Sequence, residues 1–195
     1  MEEVLNIKKL LAEDRPETWD TLPDIELYMD QVVSYLPRQS VGGKLLPMTS
    51  AMINNYVKDG LLPRANGKRY NKQHLVYLTA IGLLKNVLTV KDMKLLLDQE
   101  IVPGQEAQFY RKFCDGVDEA YDAAGVGIDP SLSEAELMDL ALRLALISCA
   151  AKTACEELLG VIRDLNPEED PKAKKEAAKR EKAERKAAEK AAATE

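Results

Sequence analysis

The chain has 195 residues, a formal net charge of -6, 46% hydrophobic but only 5% aromatic residues, and three cysteines. That length can bury a core without disulfides or metals, and an aromatic-poor, Leu/Ala-rich composition favours helices over sheets. Cys114, Cys149 and Cys155 form no CxxC pair, which argues against a secreted disulfide framework and against a zinc site.

Charge is unevenly distributed. Residues 1–43 carry nine acids and four bases, and residues 95–165 fourteen acids and five bases. Between them, Lys44, Lys58, Arg64, Lys68, Arg69, Lys72, Lys85, Lys91 and Lys94 face only Asp59 and Asp92, a local balance of +7. Phosphate binding responds to such a local patch and not to the chain average.

At the N-terminus, Val4, Ile7 and Leu11 suggest a short amphipathic helix, a packing arm that breaks at Pro16. The first residues show no basic stretch leading into an apolar one, so no signal peptide is expected. Ile25, Tyr28, Met29, Val32, Val33 and Leu36 recur at helical steps, predicting a helix over Pro23–Leu36, followed by a loop over Arg38–Lys44. A second helix is expected from a Thr49 or Ser50 cap to Lys58, with Gly60 as its stop. Its inner side is Met52, Ile53, Tyr56 and Val57, and its outer side is Ala51, Asn54, Asn55 and Lys58. Asn can pair two-point with an adenine edge, Lys reaches phosphate or guanine, and Ala allows close approach. An ordinary solvated helix face has the same composition.

The following residues shift that balance. Asn66-Gly67, the favoured pair for a type I′ hairpin, would present Arg64, Lys68 and Arg69 beside the preceding helix. Asn71 caps an expected helix to about Lys85 with Leu75, Leu78, Ile81 and Leu84 inward, and Thr89 with Asp92 opens another. His74, the only histidine, reads as an ordinary polar or phosphate-proximal residue.

Beyond Pro103-Gly104, Phe109, Phe113, Val117, Ala120 and Ala124 form a stripe on a helix ending at Gly125. Ser133 and Glu136 make a capping box for a long helix from about Glu134 to Leu165. Its broad apolar face, including Leu137, Leu140, Leu144 and Cys155, needs a cover, either the preceding helix or a second copy of the chain; Cys149 and Cys155 are expected as small core residues. Residues 166–195 are Lys/Glu/Ala repeats, expected as a solvated helix or disorder. No Ser/His/Asp or Cys/His set, phosphate loop or metal pattern is recognisable, so no catalytic site, metal or cofactor is expected.

MINNYVKDGLLPRANGKRY followed by HLVYLTAIGLLKNVLTVKDMKLLL resembles the bacterial domain of unknown function 1836 family, and LPDIELYMDQVVSYL fits its opening helix. The resemblance covers Leu22 to Leu97 and is most specific at Asn54-Asn55-Tyr56-Val57-Lys58 and Lys68-Arg69-Tyr70. The same layout is similar to MerR-type winged helix-turn-helix regulators, in which the helix before GLL enters the major groove and the wing grips the backbone. It departs from them in the long loop Pro37–Leu46 and in lacking a following effector domain or metal-sensing cysteine set.

The expectation is therefore an all-α, mainly helical chain with a small two-stranded wing, a MerR-like winged helix-turn-helix plus a C-terminal helical region. Its parts are an arm (1–21), the DNA-binding domain (22–102), an acidic helical region suited to dimerisation (103–165) and a charged tail (166–195). As a cytoplasmic transcriptional regulator, without a membrane role, it would bind double-stranded DNA as a homodimer. The contacts would come from Ser50, Ala51, Asn54, Asn55, Lys58, Arg64, Lys68, Arg69, Tyr70 and Lys72. The competing expectation is a helical protein-interaction module on the same scaffold that does not bind DNA.

Overall fold

The computed structural model describes residues 2–44 and 47–166. In chain order they form α1 (Glu2–Glu13), β1 (Leu27–Tyr28), α2 (Met29–Tyr35), a 3-10 turn (Leu36–Gln39), α3 (Ser50–Lys58), β2 (Arg69–Tyr70), α4 (Lys72–Leu84), α5 (Val90–Glu100), α6 (Glu106–Gly125) and α7 (Glu134–Leu165). The fold is thus mainly helical with one small antiparallel sheet. One compact unit spans Met1–Thr153, and a second begins at Ala154, inside α7. The expectation for residues 167–195 lies outside the described residues. No helix among those described is long and apolar enough to cross a membrane.

The first unit is built around α4. Leu75, Val76, Leu78, Ala80 and Ile81 are all fully buried. One inward stripe was the expectation, but α4 is apolar around most of its circumference, as a helix enclosed on several sides must be. It is surrounded by the 3-10 turn, β2, α5 and α6, while α1 lies on α6. α3, α4 and α5 each begin where a short polar side chain takes up a free N–H group. Thr49 Oγ1 accepts from Met52 N, Asn71 Oδ1 from His74 N, and Thr89 Oγ1 from Asp92 N.

Two expectations need correction. The helix expected over Pro23–Leu36 starts only at Met29, because Leu27 and Tyr28 are extended and pair with Tyr70 and Arg69. Helical spacing placed Ile25 inward, yet it is exposed, and Leu27, off that stripe, is buried. A strand of two residues has no period, so a ladder to a partner some forty residues away leaves no local trace. The basic turn also sits one residue further on than expected. Asn66 and Arg69 exchange both backbone hydrogen bonds, which makes Gly67-Lys68 the central pair. Gly67 has φ +63° and no described non-glycine residue has positive φ, a pattern that fits a type II′ turn and rules out type I′.

The connection between α2 and α3 is anchored. Gly42 and Gly43, at φ +60° and +74°, turn the chain between Val41 and Lys44. The Gly43 N–H donates to Asp14 Oδ2 (2.6 Å) and the Gly42 N–H to the Asp14 carbonyl (3.2 Å). A Cβ on Gly42 would lie 2.6 Å from the Tyr121 ring, so this loop is fitted against α1 and α6.

Candidate nucleic-acid interface

α3 divides as its spacing predicts. Ile53 and Tyr56 are buried, Met52 and Val57 half-buried, and Ser50, Ala51, Asn54, Asn55 and Lys58 exposed. Burial of the apolar side orients the helix, so the amide-bearing side faces solvent by default. Its C-terminal turn is held from α5, where Lys94 Nζ donates to the Gly60 carbonyl (2.8 Å) and pairs with Asp98 (2.7 Å). Gly60 takes φ +70° there, the left-handed conformation that ends helices.

The basic turn follows. Arg64, Lys68 and Arg69 are exposed, and the sheet register explains how β2 presents them. Leu27 and Tyr70, which are cross-strand partners, point into the core, so Tyr28 and Arg69 point out together. The Arg69 guanidinium lies 5.5 Å from the centre of the Tyr28 ring and 3.3 Å from Glu26, and these neighbours raise its pKa further. Tyr70 is buried, with its ring edge-on to His74 at 5.3 Å. Lys72 is half-buried, its ammonium 4.8 Å from the centre of the Trp19 ring.

His74 ties these pieces together. It is 5% exposed, and its Nδ1 accepts from the Asn71 N–H (3.1 Å) at the start of α4. Nδ1 also lies 2.6 Å from Asn71 Oδ1, and Nε2 faces the Arg64 carbonyl at 3.3 Å, so the ring is held at both nitrogens. The histidine is therefore a brace beneath the basic turn, a role its sequence position did not suggest. Burial lowers its pKa from 6.5, and the Arg64 carbonyl only partly opposes that. The unfolded chain thus takes up the proton more readily than the folded one. The neutral ring's contribution to stability is complete above pH 6.5 and is lost as pH falls from there through the folded-state value. Thermal melts at pH 7.5 and 5.5 should show this loss, and His74→Gln should make it smaller; an unchanged pH dependence in the variant would remove the brace from the account.

The basic patch is smaller in effect than nine side chains suggest. Lys85 donates to the Pro47 carbonyl (2.6 Å) and Lys94 to Gly60, so both are structural fastenings. Arg69 and Lys72 are held by Tyr28, Glu26 and Trp19, of which the sequence reading named only Tyr28, as part of a helix stripe. An aromatic ring or acid that reaches a base from tens of residues away has no spacing signature. Lys58, Arg64 and Lys68 have no ion-pair partner among the described residues. Nor could any group of three or more His, Cys, Asp and Glu among those residues hold a metal ion.

The family model described as a domain of unknown function, DUF1836, matches residues 17–122, more than half of the chain. That span runs from the residue whose backbone meets Gln39 and Tyr110 to the last turns of α6. No curated protein and no solved structure matches.

Proposed function

We propose that this chain, which belongs to the DUF1836 family, is a DNA-binding transcriptional regulator on a MerR-like winged helix-turn-helix. In it, α2 and α3 are the helix pair, and the turn at Asn66–Arg69 with the β1–β2 ladder is the wing. Asn54 and Asn55 read base edges, Ser50 and Ala51 allow close approach, and Lys58, Arg64 and Lys68 meet phosphates. Arg69 and Lys72 add charge at the margins, and Tyr70 supports the wing from below. Two copies acting together would double these contacts along the duplex.

The observation that carries this reading is the exposed amide face of α3 alongside three cations without ion-pair partners, in a chain that is otherwise acidic. Anisotropy titration against random duplex DNA at several salt concentrations tests it. A negative slope of log affinity against log salt is expected, and no retention at 50 mM salt would end the proposal. Asn54→Ala should relax preference at one position of a motif selected from random DNA, leaving the salt slope unchanged, since Asn carries no charge. Recovery of the native motif by the variant would remove Asn54 from base reading. A protein-binding role without DNA is favoured only by the uncovered apolar side chains of α7, and it predicts no DNA retention at any salt.

A further inference from the structure

Of the two covers expected for the long helix, the preceding helix does not supply one to about its first five turns, which points to a partner. Between Glu134 and Thr153 only Leu140 is buried, with Leu137 and Leu144 half-buried. Met138, Leu142 and Leu146 are 68%, 61% and 61% exposed, and Cys149, expected in a core, is exposed as well. At 100° per residue, Met138, Leu142, Ala145, Leu146 and Cys149 share one side of α7, about 16 Å long at 1.5 Å per residue.

The same compact unit contains an empty groove of about 530 Å³ between the end of α4, α5 and α6. Its walls include Leu83, Val87 and Leu96, and its floor runs along α6 from Phe109 through Gly116 to Tyr121, about 18 Å. The Glu100–Lys112 ion pair, at 2.6 Å, is among its lining residues. Gly116 is the informative residue. It sits inside a helix, where glycine is less stable than alanine, and a Cβ there would meet nothing within 4 Å. Nothing within the fold requires the glycine. A surface that docks closely on α6 would.

We infer that the chain forms a two-fold pair in which the Met138–Cys149 side of each α7 lies in the α4–α5–α6 groove of the other copy. The stripe and the groove are both apolar and similar in length, and one chain carries both, so a two-fold operator can close the contact. Stripe against stripe is a poorer solution. It would leave the groove of each copy uncovered, whereas a stripe seated in each groove covers both apolar surfaces of each copy. This inference names the partner surface of the pairing proposed above and does not depend on DNA binding.

Light scattering on the full chain tests it. The native chain should weigh twice 21.7 kDa at micromolar concentration. Leu142→Glu with Leu146→Glu should reduce that to one copy, and so should Gly116→Leu, which blocks the groove, each with an unchanged helical circular dichroism spectrum. Gly116→Ala should weaken the pair at least about threefold while raising the melting temperature of the dissociated chain, opposite signs that a structural role for the glycine would not produce. A native chain that stays single at every concentration, or a pair indifferent to Gly116→Leu, overturns the assignment. Neither result would affect the salt-dependent DNA titration, so the two failures remain distinguishable.

Discussion

Replacing Arg64 and Lys68 together with alanine is expected to lower DNA affinity about fifty- to a hundredfold at 0.1 M salt and to flatten the salt slope by about 1.8 units. Each phosphate contact contributes about 0.9 to that slope, and the same contacts set the affinity gained between molar and 0.1 M salt. These two are chosen because both are exposed and neither has an ion-pair partner among the described residues, so their charge is available to phosphate. Arg69→Ala should do less to DNA and more to the fold, since its charge is already engaged by Tyr28 and Glu26 across the sheet. The double variant should retain the native motif preference, because a wing that grips only phosphate carries no sequence information. Titrations of the three proteins against one duplex at four salt concentrations separate these effects. Equal slopes for the native and double-variant proteins would mean that the basic turn does not face DNA.

What could be read in the sequence follows from where each signal lies. The caps Thr49, Asn71 and Thr89 act within three residues; Asn71 and Thr89 stand where the sequence put them, and of the two candidates Thr49 and Ser50 it is Thr49 that caps α3. The Ser133–Glu136 box that opens α7 is equally local and equally visible. Burial of Ile53 and Tyr56 against exposure of Asn54 and Asn55 follows from periodicity alone, so the candidate reading face was legible. The elements that hold this face in place were not. β1 exists because of a partner in β2, His74 braces a carbonyl ten residues earlier, and Trp19 meets Lys72 only through the fold. Which of the two covers α7 takes, the preceding helix or a second copy, could not be read for a related reason. Apolar spacing says that a surface is sticky, not that this chain supplies its cover. Gln39 was the least visible, a polar residue in a segment read as loop that is fully buried in the structure.

Gln39→Ala should therefore be among the most damaging single substitutions outside the apolar core, lowering stability by ~3 kcal/mol, from orphaned polar groups and an unfilled space together. Its Oε1 accepts from the Glu17 N–H (3.2 Å) and the Tyr110 hydroxyl (3.2 Å), and its Nε2 donates to the Tyr35 hydroxyl (2.9 Å). Tyr35 in turn donates to the Glu17 carboxylate (2.6 Å), and the one Tyr110 hydroxyl proton is shared between Gln39 Oε1 and the nearer Glu17 carbonyl (2.8 Å). Burial is the main reason that both phenols are driven well above the usual tyrosine range, so neither ionises to relieve a lost partner. The amide is the joint at which the N-terminal arm, the 3-10 turn and α6 meet, and a buried network of this kind is costly when one member leaves. With about 2–4 °C per kcal/mol for a chain of this size, the melting temperature should fall by about 6–12 °C. Gln39→Met fills the space but restores no hydrogen bond, so its melting temperature should lie between the native and alanine values. Native melting in both variants would show that the joint bears no stress. Below its melting temperature the alanine variant should keep the native salt slope, since no phosphate contact is touched, and this separates damage to the scaffold from damage to the DNA-facing surface.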